Sequence, residues 1–474
     1  MAETHTVQSD DGTSTSKTNR SNAERPPRLR GFPLIGRTLS IARDPLEFLE
    51  SAREYDDVVV YEAYGTEFAL VSDPALVETI LVSRADEFRK GEFETGFGEL
   101  IAPSGIAFTE GERWRRQRNL LQSSFTPDRV RSAADGMVTE ASALVDGWDD
   151  GETIVLRDAL SAYTLRVLSR TLFDLPLEDD RTAIVRRATT ALDEYASPRR
   201  LALESIVPSW LPTPAERKYE NAMGDLEALV ADLVETRRTK DAAGDDLLSL
   251  LARAEYPDGT RLTPTEIRDQ LVTFLFAGHE TTATTLTFAC WLLADDSAVR
   301  SELERELEAV CGDRDPTIAD LEDLEYTEAV VNEAMRLYPP ITSIYREPCA
   351  ETVLGNHLIP AGTTLQLPVY GIHRDDRWWS APEAFRPERW LNGSNGGLTR
   401  DDRERPEYAY YPFGGGPRHC LGMRFAMVEL QLALATLVSK IVLEQVTESL
   451  EPSLGVTLDP GSVEARVRKR ENSR

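Results

Sequence analysis

The chain has 474 residues, 41% of them apolar, and a formal net charge of −28. Six lysines stand against 47 arginines and 81 acidic residues. A surface of that sign repels nucleic acid and anionic membranes, and no apolar run reaches the ~18 residues that a membrane span needs, so neither a nucleic-acid partner nor a membrane anchor is expected.

Self-repulsion of so acidic a surface is relieved by salt screening. An acidic, lysine-poor protein is therefore expected in a concentrated cytosol, such as the cytoplasm of a halophilic archaeon. The four cysteines, Cys290, Cys311, Cys349 and Cys420, are scattered without paired spacing. They outline no disulfide framework and suit a reducing cytoplasm.

In chain order, residues 1–25 are polar and almost free of large apolar residues. They read as a disordered tail with no apolar segment of a signal peptide. Residues 26–474 read as a single domain beginning at Pro26-Pro27. A helix capped at Asp44-Pro45 comes first. The runs DVVVYEAYG and TEFALVSD follow, separated by a glycine turn, and predict a β-hairpin. From about Asp73 to Tyr338 the pattern is mostly helical, and a second β-rich stretch spans Ser343 to Val369. The expected class is mainly α with a small β portion (α+β).

One helix breaks its own rules. Thr263-Pro264-Thr265-Glu266 is a capping box with proline at the first helical position. The apolar run behind it extends to about Leu293, roughly 45 Å of helix. Inside lies AGHETT, Ala277 to Thr282. Glycine mid-helix costs about 1 kcal/mol against alanine, and threonine hydroxyls compete for backbone carbonyls and bend the helix. Such a break inside a consistent element points to function or strain.

The most informative segment is FGGGPRHCLG, Phe413 to Gly422, just before the helix-forming run from Met423. It sets Cys420 at a helix start, where free N–H groups and the helix dipole favour a thiolate. Arg418 adds a positive charge nearby. A thiolate binds metal, and with no other cysteine close in sequence a zinc cage of several thiolates is not expected.

Position by position, this loop resembles the haem-ligand signature of the cytochrome P-450 family, F-x-x-G-x-R-x-C-x-G, through Phe413, Gly416, Arg418, Cys420 and Gly422. The resemblance extends over about residues 26–460. AGHETT resembles the oxygen-activating segment of that family. It implies that Ala277 and Gly278 leave room over the iron, that Thr281 hydrogen-bonds dioxygen as it is reduced, and that Glu280 relays protons. Splitting dioxygen to give water consumes two protons in a site that must otherwise stay dry.

Glu333 and Arg336 in NEAMRLYPP share a helix face, and FRPERW supplies Arg389. They resemble the family's E-x-x-R motif and its partner arginine, a buried network locking the loop before the ligand. Trp114 and Arg118 in GERWRRQR match W-x-x-x-R. With Arg418 and Arg346 they are implied to hold the haem propionates, to which an indole N–H and guanidinium groups are suited donors. The other arginines of RWRRQR suggest a positive patch near the cysteine. His279 and His419 are not taken as ligands, and His373 reads as structural. The stretch QSSF, Gln122 to Phe125, lacks a proline common in the family.

What the resemblance implies is a haem-thiolate monooxygenase. Haem b is the cofactor, Cys420 its axial ligand, and dioxygen the oxidant. The substrate is expected to be an apolar small molecule such as a fatty acid, terpenoid or steroid. It would lie against Glu92–Ile106, residues 197–211, Phe274, Ala277 and Ile341–Ile344, with Arg199 and Arg200 near an entrance. The remaining length holds no flavin or nicotinamide module, so electrons are expected from a separate ferredoxin and ferredoxin reductase. Two acidic proteins dock better as salt screens them. A peroxide-driven peroxygenase or isomerase, and a non-catalytic haem sensor, are the alternatives. The intact Glu280-Thr281 pair argues against both.

Overall fold

The two β-rich runs near the N-terminus pair as expected. Strands β1 (Val58–Ala63) and β2 (Thr66–Val71) form an antiparallel hairpin, with Val58 opposite Val71 and Ala63 opposite Thr66. Its two turn residues, Tyr64 and Gly65, have φ of 53° and 76°, the left-handed pair that suits the twist of a tight hairpin. The computed structural model describes residues 23–31, 36–173, 180–195, 213–239, 247–256, 258–391, 405–455 and 457–470. The expected pocket stretch 197–211, with Arg199 and Arg200, lies outside them, as do residues 1–22 of the expected tail. Within the expected tail Glu24 is engaged: its N–H donates to the Asn356 carbonyl at 3.1 Å, and its own carbonyl accepts from Leu358 at 2.8 Å.

The hairpin belongs to a five-stranded sheet. After β3 (Phe88–Arg89) and β4 (Thr153–Val155), the predicted second β-rich stretch forms β5 (Ile344–Pro348), β6 (Thr352–Leu354), β7 (His357–Ile359) and β8 (Thr364–Leu367). The sheet order is β1-β2-β8-β5-β3, with β2 and β8 parallel and the other pairs antiparallel. Strands β9 (Ile441–Gln445), β10 (Ser453–Leu454), β11 (Leu458–Asp459) and β12 (Glu464–Lys469) follow. Of these, β12 lies between β4 and β9.

Helices make up most of the rest. Seven of them position the site: α1 (Gly111–Gln122), α2 (Pro127–Asp146), α3 (Leu156–Phe173), α4 (Pro264–Leu275), α5 (Thr281–Asp295), α6 (Glu325–Leu337) and α7 (Met423–Lys440). Helix α7 packs against α2, α5 and α6. Its run Leu430–Ala435 is buried on every side, as expected of a helix apolar all round. The large core gathers Leu160 of α3, Leu271 of α4, Leu286 of α5 and Leu432 of α7, each fully buried. Among the described residues no helix is long and apolar enough to cross a membrane.

The rule-breaking helix starts as predicted. The Thr263 hydroxyl accepts from the Glu266 N–H at 3.2 Å, and the Glu266 carboxylate accepts from the Thr263 N–H at 3.0 Å. AGHETT does not end it. A single π-turn, Phe276–Glu280, joins α4 to α5, and such turns widen the helix at functional sites.

Candidate active site

The cysteine loop is shaped by packing against the first sheet's neighbours. A 3₁₀ turn, Gly416–Arg418, precedes Cys420. Gly416 has φ of +62°, and a side chain there would collide with the Leu81 carbonyl, so only glycine fits. The Cys420 N–H donates to the Phe413 carbonyl at 2.9 Å and closes the loop. Gly422 caps the N-terminus of α7. The Cys420 residue is exposed, yet protein crowding around the loop pushes its thiol pKa up. The N–H groups of Gly422 and Met423 and the charge of Arg118 pull it down by less. Crowding around the loop thus works against the ionisation that the helix start was expected to favour. The guanidinium acting on the thiol is also Arg118 rather than Arg418.

Arg418 turns away instead. It pairs with Glu110 at 2.7 Å, donates to the Thr109 carbonyl at 2.9 Å and lies 4.4 Å over the Trp114 ring. Arg118 donates to the His419 carbonyl at 2.9 Å. Arg346 is buried on β5 and faces Glu94 at 3.5 Å. Sequence reasoning missed Lys90. It is half-buried beside Glu94 at 2.6 Å, and desolvation depresses its pKa while Glu94 opposes the shift. Its N–H also donates to Glu110 at 3.1 Å. A lysine is rare enough in this chain to have been a signal. The expected positive patch is muted, because Arg113, Arg115 and Arg116 pair with the chain's own Glu266, Glu112 and Asp258.

Across the molecule, the π-turn presents the predicted pair. The Thr281 hydroxyl donates to the Ala277 carbonyl at 2.5 Å, and Thr285 donates to the Thr281 carbonyl at 2.9 Å. This is the hydroxyl competition anticipated for the motif. Ala277 is exposed and Thr281 half-buried, one turn apart, so this flank of the helix is left uncovered by protein. A side chain at Gly278 would meet Leu168 of α3 at 3.4 Å, an ordinary contact. Glu280 is buried and pairs with Arg157 of α3 at 2.8 Å. The buried His279 ring contacts the Ser161 hydroxyl at 2.9 Å, and burial depresses its pKa.

The E-x-x-R network closes as the resemblance implied. Arg336 donates to both Glu333 carboxylate oxygens at 2.9 Å, and Arg389 adds a bond at 3.0 Å. Two further donors were not foreseen: the Trp390 indole and the Arg386 N–H, both at 3.0 Å. The rest of Arg336 donates to the carbonyls of His373, Pro382 and Ala384. The His373 ring accepts from the Tyr411 N–H at 3.0 Å, two residues before Phe413. Burial drives its pKa down to about 3, so the ring stays a neutral acceptor and the network reaches the cysteine loop.

The loop 102–108 is pinned to α4. The Ser104 N–H donates to the buried Asp269 at 2.8 Å, and the Ile106 N–H donates to Gln270 at 2.9 Å. Gln270 and Gln117 both donate to the Ser104 carbonyl at 2.7 Å. A side chain on Gly105 would collide with the Thr273 hydroxyl. Gly105→Val is expected to break this seam, costing about 1–3 kcal/mol by overpacking and weakening binding of apolar ligands, read by denaturant titration and ligand spectra. Of the other expected pocket residues, Phe274 is half-buried with its ring 5.3 Å from Phe125. Ile341 is half-buried. Ile344 stands where it would contact a side chain at Gly414, which sets it against the cysteine loop.

The cytochrome P450 family model matches residues 26–462, and the chain belongs to that family. Two relatives come from Streptomyces. The cyclooctat-9-en-7-ol 5-monooxygenase of Streptomyces melanosporofaciens is 33% identical over 409 residues, covering 86% of this chain and 87% of that one. The pentalenene oxygenase of Streptomyces avermitilis is 31% identical over 411 residues, covering 86% and 89%. The fold is shared with the retinoic acid-bound cyanobacterial CYP120A1, with a TM-score of 0.82 at 22% identity, over 94% of this chain and all of that one. The protein is thus a cytochrome P-450 monooxygenase, with haem b as cofactor.

The residues present fit that cofactor by charge. Lys90, Arg118, Arg346 and Arg418 face only Glu94 and Glu110 among the contacts above. Arg118 also faces the Cys420 thiol, and the group as a whole offers the guanidinium and ammonium donors that ionised propionates take. One buried oxygen of Glu94 also lacks a hydrogen-bond partner, although it lies near Arg346.

Proposed function

We propose that this monooxygenase uses dioxygen to hydroxylate or epoxidise an apolar terpenoid-like molecule, with electrons from a separate ferredoxin and ferredoxin reductase. The substrate class rests on the two Streptomyces relatives, whose names describe oxidation of cyclooctat-9-en-7-ol and pentalenene. Haem b, when bound, supplies the oxidising chemistry. Cys420 would supply the thiolate that holds its iron, and Phe413 and Gly422 would shape the loop that carries it. Trp114, Arg118, Arg346 and Arg418, joined by Lys90, would hold the propionates.

The observation that carries the oxygen-activating reading is the π-turn. There Thr281 presents a hydroxyl beside the accessible Ala277, while the neighbouring Glu280 carboxylate reaches the other way to a guanidinium with solvent access. Glu280 takes protons from the solvent side. Thr281 passes them on at its hydroxyl and holds the pocket side of the path. A peroxide-driven enzyme or an isomerase has no need of that pair.

Glu280→Gln and Thr281→Ala are expected to cut product formed per electron pair about tenfold or more. Electron consumption should persist, with the difference appearing as hydrogen peroxide. The assay is a reconstituted ferredoxin system with a cyclic terpene that displaces the iron-bound water. Unchanged coupling in both variants would falsify the reading.

A further inference from the structure

We propose that Gln117 and Gln270 are positioning residues for substrate specificity. Together they hold the loop 102–109 as a fixed wall near Ala277, so that a rigid ring system is selected over a flexible chain. The selection rests on the reading above, in which oxidation takes place beside Ala277. Gln270 is on α4 and Gln117 on α1, and both side chains are buried. Each donates its amide N–H to the Ser104 carbonyl at 2.7 Å. One main-chain oxygen is thus gripped from two helices.

Both amides also accept. The Gln270 oxygen takes the Ile106 N–H at 2.9 Å, and the Gln117 oxygen takes the Thr109 hydroxyl at 2.6 Å. The buried Asp269 takes the Ser104 N–H on one carboxylate oxygen at 2.8 Å, while Arg268 occupies the other. Within the loop, the Ala102 N–H donates to the Gly98 carbonyl and the Gly105 N–H to that of Ala102. The Phe108 and Thr109 N–H groups both donate to the Gly105 carbonyl. Surface loops leave many such groups to water and are mobile for that reason. This loop meets them with protein groups, and loss of a glutamine would strand them away from water.

Where the wall stands gives it its role. Gly105 abuts the Thr273 hydroxyl, and Thr273 and Ala277 share one face of the distal helix, a turn apart. A molecule over Ala277 thus lies one helical turn from this loop. The loop's other end is tied to the cysteine side. Arg418 donates to the Thr109 carbonyl at 2.9 Å, and Gln117 is on the helix that carries Trp114 and Arg118. The wall is therefore set against the distal helix and the cysteine loop at once. A wall that stays put cannot close round a chain of many shapes. A rigid ligand that matches it binds with little ordering cost on either side. A fixed apolar shape also decides which carbon is presented, since a misfit of one methylene is worth roughly 10–200-fold.

The test uses haem-loaded full-length protein and two probes, pentalenene as a rigid polycycle and dodecanoic acid as a flexible chain. Gln117→Met and Gln270→Met remove the amides at nearly constant shape. Amide hydrogen exchange in segment 102–109 should quicken about tenfold in either variant, with that of α6 unchanged. By spectral titration the parent should bind pentalenene more tightly than dodecanoic acid, and it should oxidise pentalenene mainly at one carbon. Each variant should lose about tenfold in pentalenene affinity, keep its affinity for dodecanoic acid and give mixed products. If a Met variant folds poorly, Gln270→Asn, which draws the amide back from Ser104, should show the same changes. Exchange that stays slow overturns the clamp. A lower melting temperature with an unchanged affinity ratio and product pattern overturns the specificity role and leaves a structural one. A parent that does not prefer the polycycle overturns the shape selection. Oxygen activation is separate from all three outcomes, since it stands or falls with the coupling of Thr281→Ala.

Discussion

Replacing Cys420 with alanine is expected to abolish monooxygenation and to erase the strongly red-shifted Soret band of the reduced, carbon monoxide-bound protein. That band reports thiolate ligation, and the push of thiolate electron density favours O–O cleavage. The loss should be chemical rather than structural. The loop is closed by main-chain groups, the Cys420 N–H and the Phe413 carbonyl, and shaped by Gly416 against Leu81. The Cys420 side chain is exposed. Truncating it should change unfolding free energy by only about 0.5 kcal/mol. Persistence of the red-shifted band in Cys420→Ala would refute the assignment. A large fall in stability would instead show that the thiol serves the fold.

The second large effect is expected at Glu333. Glu333→Ala leaves Arg336, Arg389, the Trp390 indole and the Arg386 N–H without their common acceptor in a fully buried place. Removing one partner of a buried ion pair costs about 3–5 kcal/mol, a large part of the ~5–15 kcal/mol that holds a typical protein folded. Holoprotein yield should collapse, because the network reaches the cysteine loop through the His373–Tyr411 bond. Arg336→Lys should fail nearly as badly, since a single ammonium cannot reach the carboxylate and three carbonyls together. Burial raises the pKa of Glu333, but the guanidinium groups of Arg336 and Arg389 and the Arg386 N–H outweigh it and leave the pKa lowered. A folded pKa below the unfolded 4.5 means this stabilisation is present above that value and is lost as pH falls through the folded one. Denaturant midpoints measured against pH should therefore drop below about pH 4.5 in the parent and lose that limb in Glu333→Gln. A variant destabilised by under about 1 kcal/mol would contradict the buried-network account.

Much of the site was legible because its parts are local. The capping box at Thr263 joins residues three apart. The Glu333–Arg336 pair is one helix turn, and the Tyr64-Gly65 hairpin closes over two residues. Cys420 is named by five residues in a row of ten. In each case the chain's own short-range geometry brings the groups together, so a spacing in sequence is already a distance in space. The mid-helix threonines were readable for the same reason, since their hydroxyls reach back only four residues to Ala277 and Thr281.

Other parts depend on contacts between distant segments. Arg157 and Glu280 are 123 positions apart, and no local pattern announces such a pair. Asp269, Gln270 and Trp390 were missed likewise, meeting Ser104, Ile106 and Glu333 only after helices and loops have packed.

What the sequence determined by itself was the set of chemical parts: a cysteine at a helix start, an acid and a threonine inside a strained turn, and a carboxylate with two arginines to lock the loop. Tertiary structure decided their state. It turned Arg418 toward Glu110, brought Arg118 to the thiol, placed Arg157 beside Glu280 and raised the free thiol's pKa. Desolvation and long-range electrostatics depend on everything that surrounds a group, and that surrounding exists only once the chain has folded.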